Sequence, residues 1–498
     1  MKQLTFIFIF LFTVAGVFAQ EGGRAEIRAR QLSDDYQVVP MGKYGVIVFD
    51  FDDKLFSTTT PISFTGYDHD LHEVWHKQVE LVKSSYEYRG SDVDGERLYL
   101  LFSRFNSPLY YVVEVNAANE QINVHEVYSL KKLSFTDFKV LEGMVFLTGE
   151  VKRVPVLLHM DLAKKGTQKV KILPTSFTKR TEVDNLEKDT VNQVVNLTAT
   201  YWKGRNSHLV LHSFYPDGEP AQEPIQVEDR EKNLLTAKRF VTGFRQSLII
   251  GTYSNNRAEL ADGLFVAGHN GHDLSYMKFH SFAELENFLG YLSARKQENL
   301  KEKQARKKSK GKDLNLNYRL LFHDLIHRAD GQFTMVAEAY YPVYRSERRR
   351  FYAGYGYYTQ WVQVFAGYRY THAMVAGFSP EGDLLWDHSF ELEYELYPRL
   401  QPLVKVGFKR DGEVKLSYSY EGEIHSKLVR GNEVLESEAL AQIGTYQVGD
   451  RVKRSTSDIL EYWYDNYFLA YGFQKIKNQG EAEVKNKRNV FYLNKVPF

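Results

Sequence analysis

Eight short apolar runs recur along the chain, and turn residues bound each of them. The runs are "GVIVFDF" from Gly45, "LYLLFSRF" from Leu98, "MVFLTGEV" from Met144, "LVLHSFYPDG" from Leu209, "LIIGTYS" from Leu248, "FTMVAEAYY" from Phe333, "VKLSYSYEG" from Val414 and "YFLAYGF" from Tyr467. They are rich in β-branched and aromatic residues, and most are followed by a second run of the same kind. This recurrence predicts strands throughout the chain.

The turns between these runs favour antiparallel hairpins. Three dipeptides supply a residue that tolerates positive φ: Asn270-Gly271, Glu381-Gly382 and Asp411-Gly412. A period of roughly 40–50 residues with about four strands matches a β-propeller blade, and the repeats resemble such blades in spacing. We therefore predict an all-β propeller of about seven or eight four-stranded antiparallel blades, forming one domain over residues 20–498.

The first 19 residues have the three parts of a secretory signal. Lys2 gives a positive start, residues 4–18 are mostly apolar, and Ala19 is the small residue at the cleavage position. No later stretch has the length and apolarity of a transmembrane helix. We expect export to the periplasm or the outer cell surface, with no transmembrane segment in the mature chain.

The chain contains no cysteine, so disulfides, thiolate metal sites and lipid attachment at a cysteine are excluded. The signal and the start at Gln20 resemble those of uncharacterised exported β-propeller-like proteins of Bacteroidota. This resemblance implies a protein of the bacterial cell envelope and brings no activity with it.

The formal net charge is +1, so a global basic field that would attract nucleic acid is absent. One segment departs from this balance. Ser281 and Glu284 have capping-box spacing, which predicts a helix starting at Ser281 with an apolar face. From Arg295 to Lys312 the chain holds nine Lys/Arg and two Glu. We interpret residues 281–313 as a helical, basic insertion whose charged part lies outside the core.

A second unusual segment spans residues 342–371, where aromatic and arginine side chains are concentrated. Tyr, Trp and Arg are enriched at binding hot spots. The predicted partner-binding residues are Arg348, Arg349, Arg350, Tyr355, Tyr357, Tyr358, Trp361 and Tyr368. The alternative is a long blade hairpin whose rings merely cover its own sheet.

The densest cluster of potential metal ligands lies in "GYDHDLHEVWH". Its candidate ligands are Asp68, His69, Asp70, His72 and His76. Their spacing matches no recognised metal motif, so we favour a polar hairpin, and we predict neither a metal nor another cofactor. No nucleophile, phosphate-binding or dinucleotide motif is found, and no catalytic residue is assigned.

These observations favour an exported binding or scaffold protein that docks a cell-envelope protein or glycan. One alternative is a propeller-type glycan hydrolase or lyase, which would gather carboxylates around the central channel. A minor alternative is an outer-membrane β-barrel, suggested by the terminal Phe498 and by the aromatic residues of the segment 351–370.

We predict that the mature protein begins at Gln20 and is recovered outside the cytoplasm, because the signal pattern ends at Ala19. N-terminal sequencing of the protein purified from its native cells tests this. Soluble protein that retains Met1 would contradict it.

Overall fold

The structure is a computed structural model. It describes residues 23–32, 36–51, 59–82, 86–104, 107–164, 168–243, 246–256, 260–310, 314, 316–323, 325–327, 331–352, 354–393, 396–398, 400–408, 412–445, 447, 449–478 and 487–497. The predicted signal sequence, Gln20, Asp411 and Phe498 lie outside the described residues.

Within these residues the strands form eight sheets, each built on four antiparallel strands, as a β-propeller requires. The first strand of the chain is β1 (Arg24–Arg28). Blade 1 contains β2 (Gln37–Pro40), β3 (Val46–Phe51), β4 (Thr59–Tyr67) and β5 (Glu73–Val82). Blade 2 contains β6 (Tyr86–Asp94), β7 (Arg97–Arg104), β8 (Leu109–Asn116) and β9 (Ile122–Tyr128).

The next three blades follow the same order. Blade 3 contains β10 (Ser134–Leu141), β11 (Met144–Val151), β12 (Val154–Asp161) and, after β13 (Gln168–Lys169), β14 (Lys171–Ile172). The short β13 pairs in parallel with β9 of blade 2. Blade 4 contains β15 (Thr181–Asp189), β16 (Val194–Lys203), β17 (Asn206–Phe214) and β18 (Ile225–Val227). Blade 5 contains β19 (Asn233–Gly243), β20 (Gln246–Ser254), β21 (Gly263–His269) and β22 (Leu274–Ser281).

A helix, α1 (Ala294–Lys308), separates blade 5 from the last three blades. Blade 6 contains β23 (Arg319–Phe322), the short β24 (Ile326–His327), β25 (Phe333–Tyr352), β26 (Tyr357–Phe378), β27 (Leu384–Glu391) and the short β28 (Leu396–Tyr397). Blade 7 contains β29 (Lys405–Phe408), β30 (Val414–Tyr420), β31 (Glu423–Arg430) and β32 (Glu433–Gln442). Blade 8 contains β33 (Asp450–Tyr464), β34 (Tyr467–Asn478), β35 (Lys487–Pro497) and β1.

The second and third strands of a blade are buried on both faces because neighbouring blades cover them. Every residue of β8 is buried, whereas β5, a fourth strand, is largely exposed. This burial explains why the sequence runs are apolar on both faces instead of alternating. Seven of the eight runs are second strands, and the run from Leu209 is the third strand β17. The predicted fold class is confirmed, with eight blades.

The ring closes where β1 pairs with β35 of blade 8. Arg24 in β1 donates to Asn494 Oδ1 at 2.6 Å and to Gln474 Oε1 at 2.9 Å. Trp463 Nε1 of blade 8 donates to the Gly45 carbonyl of blade 1 at 2.9 Å. Arg24 therefore holds the N-terminal strand within blade 8, and Trp463 joins that blade to blade 1.

The first strands of the blades lie at the centre of the ring. β6, β10 and β15 contact one another in turn. Asp92 Oδ2 of β6 accepts from the Val140 amide of β10 at 2.7 Å and from Lys188 Nζ of β15 at 2.8 Å. One partly buried carboxylate thus joins three consecutive blades. The described strands divide into eight separate sheets around this centre, as in a propeller.

The basic insertion differs from the sequence prediction in one respect. The expected helix start at Ser281 is wrong, because residues 282–293 form turns that bury Phe282 and Phe288 in the core between blades 5 and 6. The helix is the charged part, and none of its residues is buried. Its Lys, Arg, Glu and Gln residues have high helix propensity, which outweighs the missing apolar face. No helix among the described residues has the length and apolarity to cross a membrane.

We predict that one buried histidine makes the fold sensitive to acid. His372 is fully buried and stacks on the ring of Tyr291 at a centroid distance of 3.8 Å. Burial lowers the pKa of His372 to about 3. The unfolded chain protonates this histidine near its ordinary pKa of about 6.5, so lowering the pH below that value favours unfolding. Between pH 7 and pH 5, His372 alone should lower the free energy of unfolding by about 2 kcal/mol.

The measurement is the free energy of unfolding at pH 7 and at pH 5 for the wild type, for His372→Gln and for His76→Gln, which replaces an exposed histidine. The His372→Gln protein should lose less stability on acidification than the other two. Equal losses in all three proteins would show that His372 is not the titrating group.

Candidate functional site

The predicted aromatic–arginine segment is one long β-hairpin. β25 and β26 are the second and third strands of blade 6, and they continue past the blade to a connection of which residues 354–356 are described. Other strands of the blade pair with β25 up to Tyr340 and with β26 from Tyr368 onward. The long hairpin, residues 341–367, therefore projects from the ring. At about 3.3 Å per residue, each arm is roughly 35 Å long.

The cross-strand register divides the hairpin into two faces. Arg348 lies opposite Trp361, and Arg350 lies opposite Thr359. Since side chains alternate along a strand and cross-strand partners share a face, the register defines an aromatic–arginine face. Its members are Tyr344, Arg348, Arg350, Tyr352, Tyr357, Trp361 and Phe365. The opposite face carries Arg345, Glu347, Arg349, Phe351, Tyr358, Val362 and Val364.

The charges on the two faces are balanced differently. On the opposite face, Glu347 pairs with Arg345 at 2.7 Å and with Arg349 at 3.2 Å. Hydrogen bonds from these two arginines lower the pKa of Glu347. On the aromatic–arginine face, neither Arg348 nor Arg350 has an ion pair with a described carboxylate. The guanidinium of Arg350 instead lies over the ring of Tyr357, 4.3 Å from its centroid. This face therefore keeps uncompensated positive charge beside aromatic rings.

The aromatic rings of this face are exposed to solvent. Trp361 is 68% exposed and Tyr357 is 64% exposed. Rings that merely covered their own sheet would be buried, and a two-stranded ribbon has no third strand to cover them. The exposure therefore does not match the purely structural interpretation of the segment.

The structure separates the eight predicted partner-binding residues into four groups. Arg348, Arg350, Tyr357 and Trp361 lie on the aromatic–arginine face, whereas Arg349 and Tyr358 lie on the opposite face. Tyr355 is exposed in the turn between the strands. Tyr368 is partly buried at the base of the hairpin, where it packs against Phe365 and Tyr340. The composition of the sequence identified the segment, and the cross-strand register shows which of its residues share a face.

The basic helix lies at the same end of the propeller as the hairpin turn. Successive strands of a blade run in opposite directions, so turns between second and third strands share one end with the connections between blades. The connection from blade 5 to blade 6 contains α1, with seven Lys/Arg and two Glu. The end of the ring that carries the long hairpin therefore carries a second excess of positive charge.

The predicted metal-ligand cluster forms a turn stabilised by its own side chains. Asp68 Oδ1 accepts from the amides of Asp70 at 2.9 Å and His72 at 2.8 Å. These bonds and the nearby His72 ring lower the pKa of Asp68, against the opposing effect of its burial. The Asp68 carboxylate therefore acts as a turn cap.

The two remaining histidines of this cluster have separate partners. His69 Nε2 is 3.0 Å from the Gly42 carbonyl, and His76 Nδ1 is 3.0 Å from Thr65 Oγ1. Among the described residues, no group of three or more His, Asp or Glu side chains is arranged to hold a metal ion.

A cleft between blades 4 and 5 was not predicted from the sequence. It has a volume of about 1060 Å³ and is lined by three turns: β15–β16 and β17–β18 of blade 4, and β21–β22 of blade 5. Arg239 of β19, 8% exposed, lies at its floor beside the buried His269. The lining carboxylates, Glu223 and Asp273, are exposed at the rim, so this cleft lacks the buried carboxylate pair expected of a glycan hydrolase.

The cleft left no local signal in the sequence. Arg239 donates to Ser247 Oγ at 3.0 Å, to Ser213 Oγ at 2.7 Å and to Gln222 Oε1 at 3.2 Å. These acceptors come from two blades, and each residue type is common on any surface. A site assembled in this way becomes visible only in three dimensions.

The protein has no match among known families or curated sequences. No model of a protein family matches the chain, and no curated protein matches it in sequence. Several solved structures are similar in architecture.

A polysaccharide lyase is 9% identical, with 83% of this chain and 92% of that chain covered and a TM-score of 0.40. The β-propeller domain of a trilobed protease from Pyrococcus furiosus is 9% identical, with coverages of 82% and 98% and a TM-score of 0.36. A post-proline cleaving enzyme from Rickettsia typhi is 10% identical, with coverages of 91% and 58% and a TM-score of 0.37. At such identities no activity or residue role carries over to this chain.

We predict that two tyrosines of the same strand differ greatly in their contribution to stability. Tyr357→Ala should change the free energy of unfolding by less than about 0.5 kcal/mol, because Tyr357 is exposed on the hairpin. Tyr370→Ala should cost about 3–5 kcal/mol, because Tyr370 is fully buried and its hydroxyl donates to the Gln401 carbonyl at 2.7 Å. Chemical denaturation of both variants measures the difference. A large loss with Tyr357→Ala would show that the hairpin packs against the fold.

Proposed function

We propose that this protein is an exported binding protein of the cell envelope that docks an acidic protein partner through the aromatic–arginine face. The observation that supports the proposal most strongly is the exposure of Tyr357 and Trp361 beside the unpaired Arg348 and Arg350. Export and the envelope location rest on the pattern of residues 1–19.

The side chains of this face suit a binding hot spot. Trp and Tyr supply large contact area with few rotatable bonds, and Arg supplies directional hydrogen bonds. A rigid strand pair also positions them before binding, which lowers the entropy lost on association. The parts of β25 and β26 that are buried inside blade 6 provide that rigidity.

The positive charge at this end of the ring indicates the charge of the partner surface. Arg348 and Arg350 are not neutralised by described carboxylates, and α1 adds five net positive charges at the same end of the ring. Complementary potentials speed encounter and exclude partners of like charge. The partner surface should therefore be acidic.

The backbone of the hairpin favours a protein over a glycan. Within the described residues, positions 341–352 of β25 and 357–367 of β26 pair with each other and with no other strand. Both outer edges therefore present alternating N–H and C=O groups that an extended peptide can continue as a further strand. A glycan would contact the aromatic rings but would not continue the pattern of backbone hydrogen bonds.

The test compares two double variants that remove two aromatic rings each. Tyr357→Ala/Trp361→Ala removes rings from the aromatic–arginine face, and Phe351→Ala/Tyr358→Ala removes rings from the opposite face. A photo-crosslinking residue at position 352 captures the partner in the native envelope, and mass spectrometry identifies it. Binding to the purified partner is then measured with each variant.

The first double variant should lose at least about 2 kcal/mol of binding, or roughly 30-fold in Kd, and the second should bind like the wild type. Arg348→Gln/Arg350→Gln should slow association and reduce its salt dependence. Equal losses on both faces would contradict the proposal. So would a captured partner that is a glycan, or a second copy of this chain.

A further inference from the structure

We propose that the cleft between blades 4 and 5 binds a small hydroxylated carboxylate, and that Arg239 is the residue that holds the carboxylate group. The cleft opens at the end of the propeller opposite the hairpin turn, because its lining turns join first to second and third to fourth strands. This site is therefore separate from the proposed docking face.

Arg239 is a buried cation without a partner anion in the part of the chain that the structure describes. Its hydrogen bonds go to Ser247, Ser213 and Gln222, and all three acceptors are neutral. Among the described residues, no carboxylate forms an ion pair with Arg239, and Asp189 is the one acid that influences its pKa. The carboxylate of Asp189 raises the pKa of Arg239 from a distance, and it already accepts a hydrogen bond from the Val191 amide at 3.0 Å.

Because Arg239 is buried without a nearby anion, its charge destabilises the folded protein when no ligand is bound. Desolvation lowers the pKa of Arg239, and the attraction of Asp189 does not reverse the shift. A buried charge normally has an ionic partner that offsets its desolvation. The hydrogen bonds of Arg239 to both blades go to neutral acceptors, so they do not supply the opposite charge that would offset this cost.

The guanidinium retains hydrogen-bonding capacity. Nε and one N–H of each terminal nitrogen are used by Ser247, Ser213 and Gln222. One N–H therefore remains on each terminal nitrogen, because guanidinium has five donors. Two such donors on one guanidinium can bind the two oxygens of a carboxylate.

His269 supplies a further donor beside the guanidinium. Its Nδ1 accepts from the Gly271 amide at 3.2 Å, so the neutral ring carries its proton on Nε2. Burial, and secondarily the charge of Arg239, lower the pKa of His269. The ring is therefore a neutral donor that lines the cleft and adds no second charge.

The rim limits the charge of the ligand. Glu223 and Asp273 are exposed there, opposite a floor with a single cation. Two carboxylates at the rim disfavour a phosphate dianion but accept hydrogen bonds from hydroxyl groups. Tyr215, also at the rim, offers an aromatic ring to a sugar-like body. The combination fits a monoanion with several hydroxyl groups.

The test uses the full mature chain and isothermal titration calorimetry. The probes are glucuronate, glucose, which has a CH₂OH group in place of the carboxylate, and inorganic phosphate. Glucuronate should bind with a Kd of about 1 mM or tighter, whereas glucose and phosphate should bind at least tenfold more weakly. Comparable binding of glucose or phosphate, or no binding of glucuronate, would overturn the proposal.

Variants then assign the site. Arg239→Gln should weaken glucuronate binding at least tenfold, because a charged hydrogen-bond pair is lost. Arg349→Gln, on the distant hairpin, should leave it unchanged. If Arg239→Gln unfolds, His269→Phe tests the same cleft and should weaken binding severalfold. Undiminished binding in the folded variants would overturn the assignment, and it would leave the docking proposal untouched because that test uses other residues and another ligand.

Discussion

Carboxylates that are partly or fully buried and accept hydrogen bonds from a neighbouring blade hold this ring together. Asp92 accepts from Val140 of blade 3 at 2.7 Å, and Asp458 of blade 8 accepts from the Gly422 amide of blade 7 at 2.7 Å. Glu338 of blade 6 accepts from the Val404 amide, just before blade 7, at 2.8 Å. A protein without cysteine has no disulfides to join its blades, and apolar contacts between sheets are not directional. These charged acceptors fix the rotation of one blade relative to the next.

Because the blades are fixed, the long hairpin can extend from the ring without losing its register. Glu338 lies in β25, and the fully buried Tyr370 lies in β26, so both arms are anchored within blade 6. A free two-stranded ribbon is marginally stable in water. Here the pairing inside the blade sets the register, and the exposed part continues it. Side chains selected for contact, not for folding, can therefore occupy the hairpin.

The sequence was sufficient for the architecture because each blade contributes one recurring apolar run, the second strand in seven blades and the third in blade 4, which must be buried on both faces. It was insufficient where tertiary contacts override local signals. The capping pattern at Ser281 was overridden by burial of Phe282 and Phe288 in turns. Likewise, composition located the aromatic–arginine segment, but only cross-strand register places Arg349 and Arg350 on opposite faces. Arg239 had no signal, because its surroundings come from separate blades.

The arginines at the two ends of the ring differ in how strongly salt screens their charges. Arg348 and Arg350 are exposed, so at physiological salt their attraction to a partner is screened over a Debye length of about 8 Å. Arg239 is buried, and mobile ions screen its attraction to a bound carboxylate far less. An exposed cation therefore mainly steers encounter, whereas a buried one mainly determines how long a ligand stays. The same residue type thus suits a macromolecular docking face at one end and a small-ligand cleft at the other.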